Sequence, residues 1–185
     1  MAATSSVMTA LGTPAPDFAL PDAVSGSTIN RDAVRSAHAT VIMFICNHCP
    51  FVKHVQYELV QLARTYQPQG VAFVAISSND AVAYPADAPD KMKALAEALD
   101  FGFPYLYDET QAVAQAYGAV CTPDFFVYDY DMKLAYRGQL DDSRPGNGVP
   151  VTGRDLRCAL DALLAGRPVE ADQRPSIGCS IKWKG

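Results

Sequence analysis

The sequence predicts an α/β domain: a central mixed β-sheet flanked by helices. Three observations predict it. Residues 41–45, VIMFI, form a short continuous apolar run, as in a strand buried on both faces. Val52, Val55, Leu59, Leu62 and Tyr66 follow at intervals of 3, 4, 3 and 4, which is one stripe of a helix. Residues 71–77, VAFVAIS, are strand-like again. The unit is strand, helix, strand, and a crossover of this length favours parallel pairing.

The remaining elements follow in order. Residues 1–13 are small and polar or apolar by turns, without the charged start or sustained apolar core of a secretory signal. They are expected to be a flexible N-terminal arm, with one domain over residues 14–166. The first long helix stops at Pro68 and Gly70. Met92, Leu95, Ala96 and Leu99 mark a second amphipathic helix, opened at Pro89 and closed at Gly102. A short strand is expected at 105–107, and a brief helix capped by Thr110 and ended by Gly118. Segments 124–130 and 132–137 are close enough to be an antiparallel hairpin around Asp129 to Asp131. Pro145-Gly146 and Asn147-Gly148 make 138–151 a loop. A last helix starts near Thr152, turns Leu156, Leu160, Leu163 and Leu164 inward, and stops at Gly166. Residues 167–185 are expected to be an irregular C-terminal tail packing on the domain.

Length and composition exclude several functions. A chain of 185 residues, 49% hydrophobic and 19% charged, is long enough and balanced enough for one real core. A net charge of −5 offers no basic field, so nucleic acid is not an expected partner. No apolar run is long enough to span a bilayer, so neither is a membrane. The expected compartment is the cytoplasm, where the five cysteines rest as thiols; their odd number argues against a structural disulfide framework.

The stretch MFICNHCPFVKH, residues 43–54, sets Cys46 and Cys49 at the junction of the first buried strand and the first helix. The first N–H groups of a helix have no partner within it, and the dipole there is positive, so a thiolate at that point is stabilised. Cys46 is the expected attacking thiol, nearer the strand and the surface. Cys49, a turn deeper, is the expected resolving thiol. Between them Asn47 adds a polar group, and His48 favours a nearby thiolate when cationic. Pro50 is tolerated in the first turn. The alternative use of these residues is metal binding by Cys46, Cys49 and a histidine, His48 or His54. A closed zinc site takes four ligands, commonly from two knuckles, and no second C-x-x-C is present. No bound cofactor or metal is expected.

Five segments can be set side by side: Cys46-Asn47-His48-Cys49 after a buried strand; Val120-Cys121-Thr122-Pro123-Asp124-Phe125-Phe126; the opening Pro14-Ala15-Pro16-Asp17-Phe18; the extra segment between residues 78 and 110; and the closing run from Pro175 through Cys179 to Lys184. Taken together they make the chain resemble the thioredoxin superfamily, in its alkyl hydroperoxide reductase and thiol-specific antioxidant (peroxiredoxin-like) branch. That last run resembles the tail of an uncharacterised bacterial thioredoxin-like subgroup. The resemblance implies a thioredoxin-like fold with an N-terminal extension and an insertion before a cis-Pro loop at Thr122-Pro123. It implies that Pro123 faces the Cys pair, and that the neighbouring backbone pairs with an extended stretch of a bound disulfide partner. Asn47, Cys121, Thr122 and Pro123 would then border the substrate.

The resemblance also separates two activities. Peroxiredoxins place a Thr or Ser three residues before the attacking Cys, a Pro earlier, and a distant Arg. With Cys49 in the attacking place, those slots hold Cys46 and Ile42. With Cys46 there, they hold Met43 and Ala39, and in either case the Arg slot falls on Pro123. The peroxide pocket is absent in both registers, so thiol–disulfide exchange is expected ahead of a thiol peroxidase, with metal chaperoning last. The expected partners are a disulfide-bearing protein or small thiol, and a thioredoxin-type electron donor. Cys179 is a candidate third thiol on the tail, Cys121 is expected to fill the loop, and Cys158 is incidental. Trp183 is expected to anchor the tail to apolar surface.

Overall fold

The computed structural model describes residues 3–185. Ten strands run in chain order: β1 (Ala3–Ser5), β2 (Ala19–Pro21), β3 (Thr28–Asn30), β4 (Ala39–Phe44), β5 (Val71–Ser77), β6 (Tyr105–Tyr107), β7 (Cys121–Thr122), β8 (Asp124–Asp129), β9 (Leu134–Gly138) and β10 (Ile177–Ser180). Four α-helices join them: α1 (Pro50–Tyr66), α2 (Pro89–Leu99), α3 (Ala112–Tyr117) and α4 (Arg154–Leu164).

The main sheet has the order β6-β5-β4-β8-β9. β4 pairs parallel with β5 and antiparallel with β8, and all six of its residues are buried. That is why the run around 41–45 shows no polar alternation: both faces of the strand are covered. Successive side chains still point to opposite faces. Val41, Met43 and Ile45 join the core beneath α1, α2 and α4, with Val52, Leu59, Leu62, Met92, Leu156 and Leu160. Ile42 and Phe44 join a second core with Val113, Ala114 and Tyr117 of α3. The architecture is the central mixed sheet flanked by helices that the sequence predicts. Among the described residues no helix is long and apolar enough to cross a membrane.

Several local expectations are corrected. Where a flexible arm was expected, Ala3–Ser5 is a strand on β10, the Ser6 N–H donates to the Ser176 carbonyl at 2.8 Å, and the Gly12 N–H to the Leu134 carbonyl at 2.7 Å. These backbone partners lie more than 120 residues away in the chain, so local composition could not signal them. The tail is not irregular throughout, for β10 lies in a second sheet of order β1-β10-β7. α3 begins after Gln111, which adopts φ 65°, rather than on a Thr110 cap. In α4, Leu156 and Leu160 are fully buried while Leu163 and Leu164 are half-exposed at the end of the helix. Trp183 is 41% exposed; the tail is held instead by Ile181 in the second core and by backbone bonds around Lys182.

Candidate active site

β4 delivers Cys46 and α1 delivers Cys49. The helix begins at Pro50, so Cys49, in an extended backbone conformation, is the residue that caps it. This corrects the expected placing. Cys46 stands outside the helix mouth, and neither thiol is near the surface: Cys46 is 1% exposed and Cys49 0%. Pro50, as the first helical residue, lacks the N–H that would have no partner there anyway, and Val52 directs its N–H toward the Cys49 sulfur without closing a formal capping bond.

The peptide between Thr122 and Pro123 is cis. Its loop faces both thiols. Cys46 Sγ lies 3.4 Å from Thr122 Oγ1, and Cys49 Sγ lies 3.2 Å from the Thr122 carbonyl oxygen, to which it donates when protonated. Both sulfurs lie against Thr122 in one buried cluster, so the two thiols titrate together rather than independently. Donation from the Cys46 thiol holds Cys49 well below the usual range, at about 4, against the cost of burial; the Cys179 thiol and the Val52 N–H add to the effect. Cys46 moves up, because it keeps the shared proton, is buried, and faces the Asp87 carboxylate. The nearby Thr122 carbonyl opposes charge on Cys49, while the Val52 N–H and the helix mouth favour it. The first deprotonation belongs to the pair, with the helix mouth favouring charge on Cys49.

The residues between the cysteines are fixed by a carboxylate that sequence reading missed. Asp87, 0% exposed, accepts from the backbone N–H of Asn47 at 2.8 Å and of His48 at 3.1 Å. Its other oxygen takes His48 Nδ1 at 2.5 Å and Asn79 Nδ2 at 2.8 Å. The His48 ring stacks on Tyr84, with centroids 5.4 Å apart and planes 9° from parallel. Tyr105, also buried, donates its hydroxyl to Asn47 Oδ1 at 3.0 Å. Asp87 belongs to the 78–110 segment, inside Tyr84-Pro85-Ala86-Asp87-Ala88-Pro89. An acidic residue between two prolines, in a rigid turn, was the available signal.

Among the described residues, one group of three has metal-ligating atoms close together: Cys46, His48 and Asp87. It does not include Cys49 or His54. Asp87 already spends both oxygens on N–H donors, and a 2.5 Å contact to His48 leaves no room for an ion between them. The alternative set of two cysteines and a histidine is not the one brought together among the described residues.

Cys121 and Cys179 are both brought to the site. Cys121, at 0% exposure, is pushed up by burial and by Asp124 beyond ordinary thiol chemistry. Cys179 lies opposite Thr122 in the β7–β10 ladder, and Ser180 opposite Cys121. The edge beside Pro123, expected to pair with a partner, is thus paired with the chain's own tail. Cys158 is exposed on α4, away from this cluster.

No curated protein sequence matches the chain. The chain is similar to an uncharacterized conserved protein from Geobacillus kaustophilus, at 64% identity and a TM-score of 0.98, covering 100% of this chain and 97% of that one. It is also similar to a hypothetical protein from Sinorhizobium meliloti, at 50% identity and a TM-score of 0.96, covering 98% and 99%. A peroxidoxin from Mycobacterium tuberculosis, at 22% identity and a TM-score of 0.63 over 85% of this chain and 97% of that one, shares the fold. The family model described as the AhpC/TSA family matches residues 11–137, a stretch containing Cys46, Cys49 and the Thr122-Pro123 loop, with Cys179 beyond it. By that match the chain belongs to the AhpC/TSA family of thioredoxin-fold thiol oxidoreductases and peroxidases.

Proposed function

We propose that this protein is a thiol–disulfide oxidoreductase that exchanges electrons with protein or small-molecule disulfides through Cys46 and Cys49. The observation that carries the reading is a pair of buried thiols at a helix mouth, with Cys46 Sγ 3.4 Å from Thr122 Oγ1 and Cys49 Sγ 3.2 Å from the Thr122 carbonyl. With Cys49 capping the helix mouth, which favours its thiolate, this reading makes Cys49 the nucleophile, where the sequence reading put Cys46. Its thiolate attacks one sulfur of a partner disulfide, and the other partner sulfur leaves and takes up a proton. Cys46 then gives up its proton and attacks Cys49, releasing the second partner thiol and forming Cys46–Cys49. Two electrons pass from the pair to the partner; a thiol protein of thioredoxin type returns them. Asn47 and His48 are positioning residues, and Thr122 and Pro123 border the site. A reducing cytoplasm, in which the pair rests as thiols, is part of this proposal.

The test is turnover of hydroxyethyl disulfide and of a protein disulfide. Cys49→Ser should abolish both, and Cys46→Ser should slow steady turnover. Unchanged turnover in Cys49→Ser would sink the reading. The near-complete burial of both thiols favours a second reading, a peroxidase acting on a small hydroperoxide through a Cys49 sulfenic acid. Peroxide consumption faster than disulfide turnover in the parent protein would favour it.

A further inference from the structure

The tail does more than close the domain. β10 enters the ladder beside Pro123 in the position an added strand would take, antiparallel to β7. Its far edge is covered by β1, with Ala3 opposite Cys179. The fit is close: a Cβ on Gly178 would stand 1.9 Å from the Thr122 carbonyl oxygen. Both ends of the strand are tied. Before it, the Ser6 N–H donates to the Ser176 carbonyl at 2.8 Å and the Ser176 N–H to Ser6 Oγ at 3.0 Å. After it, the Lys182 N–H donates to Asn79 Oδ1 at 2.8 Å, and Gln111 Nε2 to the Lys182 carbonyl at 2.8 Å. Within this frame Cys179, 4% exposed, stands opposite Thr122, whose carbonyl lies 3.2 Å from Cys49 Sγ, and it shares one buried cluster with Cys46 and Cys49.

We infer that Cys179 is a third redox-active thiol, an internal partner that β10 holds at Cys49 as a substrate strand would hold its cysteine. The inference rests on the proposed role of the Cys46/Cys49 pair and adds a second oxidised form to it. Once Cys46–Cys49 has formed, Cys179 loses its proton and its thiolate attacks Cys49. The Cys49–Cys179 bond forms, the Cys46–Cys49 bond breaks, and Cys46 leaves as a thiolate and takes up the proton. No electrons enter or leave, so the step is an isomerisation and needs no further oxidant. Burial, and then the Cys49 sulfur, push the Cys179 thiol up to about 11. Pairing of Cys49 in a disulfide removes that charge and so makes Cys179 easier to ionise. The same arrangement fills the Thr122 edge permanently, so partners approach over Asn47, His48 and Pro50, which border the pair and reach solvent.

Disulfide mapping tests this. Trypsin leaves Cys46 and Cys49 together on residues 36–53, and Cys179 on residues 158–182 with Cys158, because Arg167 and Arg174 precede prolines. The parent is therefore the full-length Cys158→Ser protein, oxidised with hydroxyethyl disulfide, quenched in acid, alkylated unfolded and digested. The expected result is an internally bonded 36–53 peptide together with 36–53 linked to 158–182. Adding Cys46→Ser should make the linked pair the main oxidised product, and adding Cys179→Ser as well should remove it. If the Cys46→Ser protein holds only a hydroxyethyl adduct on Cys49, and the parent yields no linked pair, the third thiol is refuted. Cys179→Ser alone should still form Cys46–Cys49. Failure there refutes the pair itself, so the two failures are told apart.

Discussion

Asp87 holds His48 twice, accepting from its ring nitrogen and from its backbone N–H, and the same carboxylate accepts from the Asn47 N–H. A residue of the insertion thereby sets the geometry of the two residues between the cysteines. The electrostatic effect runs the other way, since Asp87 lies near Cys46 and helps keep it protonated.

Asp87→Ala should cost about 2–4 kcal/mol in urea unfolding, because buried N–H donors lose a charged acceptor. Asp87→Asn should cost less and should lower the titration of Cys46, seen as an acid-ward shift of the upper limb of the pH–rate profile. A stability loss with an unmoved profile would make Asp87 a purely structural residue.

The reduced protein should gain stability as pH rises. Cys49 ionises at about 4 when folded, against an ordinary thiol value of 9.0. A depressed folded value contributes stability that is fully present above the unfolded value and is lost as pH falls through the folded one. Relative to Cys49→Ser, the reduced parent should therefore become more stable between about pH 4 and pH 9. Cys46, whose value is raised, acts in the opposite sense above that window. Paired urea titrations across this range give the difference directly, and a flat difference would contradict the charge placement.

The Arg137–Asp124 pair is a structural counterpart to this site. Both side chains are fully buried and 3.2 Å apart, Asp124 directly after Pro123 and Arg137 on β9, and the guanidinium lies 4.4 Å from the centre of the Phe126 ring. Arg137 also donates to the Gly118 carbonyl at 2.7 Å. Arg137→Met would leave Asp124 buried without its cation, and should cost about 3–5 kcal/mol. Asp124 is already pushed up to about 7 by burial, so in that variant it should fold protonated, with less stability lost at acid than at neutral pH. Equal losses at pH 5 and pH 8 would argue against an uncompensated charge.

How much of this was legible in the sequence follows from which interactions are local. The strand–helix–strand unit was legible because β4, α1 and β5 each carry their own periodicity. The approach of Thr122-Pro123 to the cysteines was legible only through resemblance, since nothing in residues 121–123 encodes a contact 76 residues back. The depth of Cys49 was misjudged because Pro50 suits any position of a first turn; the helix begins at Pro50, so Cys49 caps it and does not lie a turn inside. Asp87 left only the faint signal of a carboxylate between prolines, and the β1–β10 pairing left none, since a few small residues at each end acquire meaning only when the fold brings them together. Cys179 was visible as a sulfur on a tail, but the distance that matters is set by Gly178 and the ladder.

Gly178→Ala is the sharpest probe of that ladder. The added methyl would meet the Thr122 carbonyl oxygen at 1.9 Å, backbone against backbone, with no flexible side chain to yield. Either β10 lifts from β7 or the Thr122-Pro123 loop retreats, and in both cases the cover over Cys46 and Cys49 opens. Alkylation of the reduced parent is limited by local opening, since both thiols are 0–1% exposed. The variant should therefore be alkylated on Cys49 faster by on the order of tenfold or more, while the linked 36–53 and 158–182 product is lost. A Gly178→Ala protein alkylated no faster than the parent would mean that the tail strand is not what shields the pair.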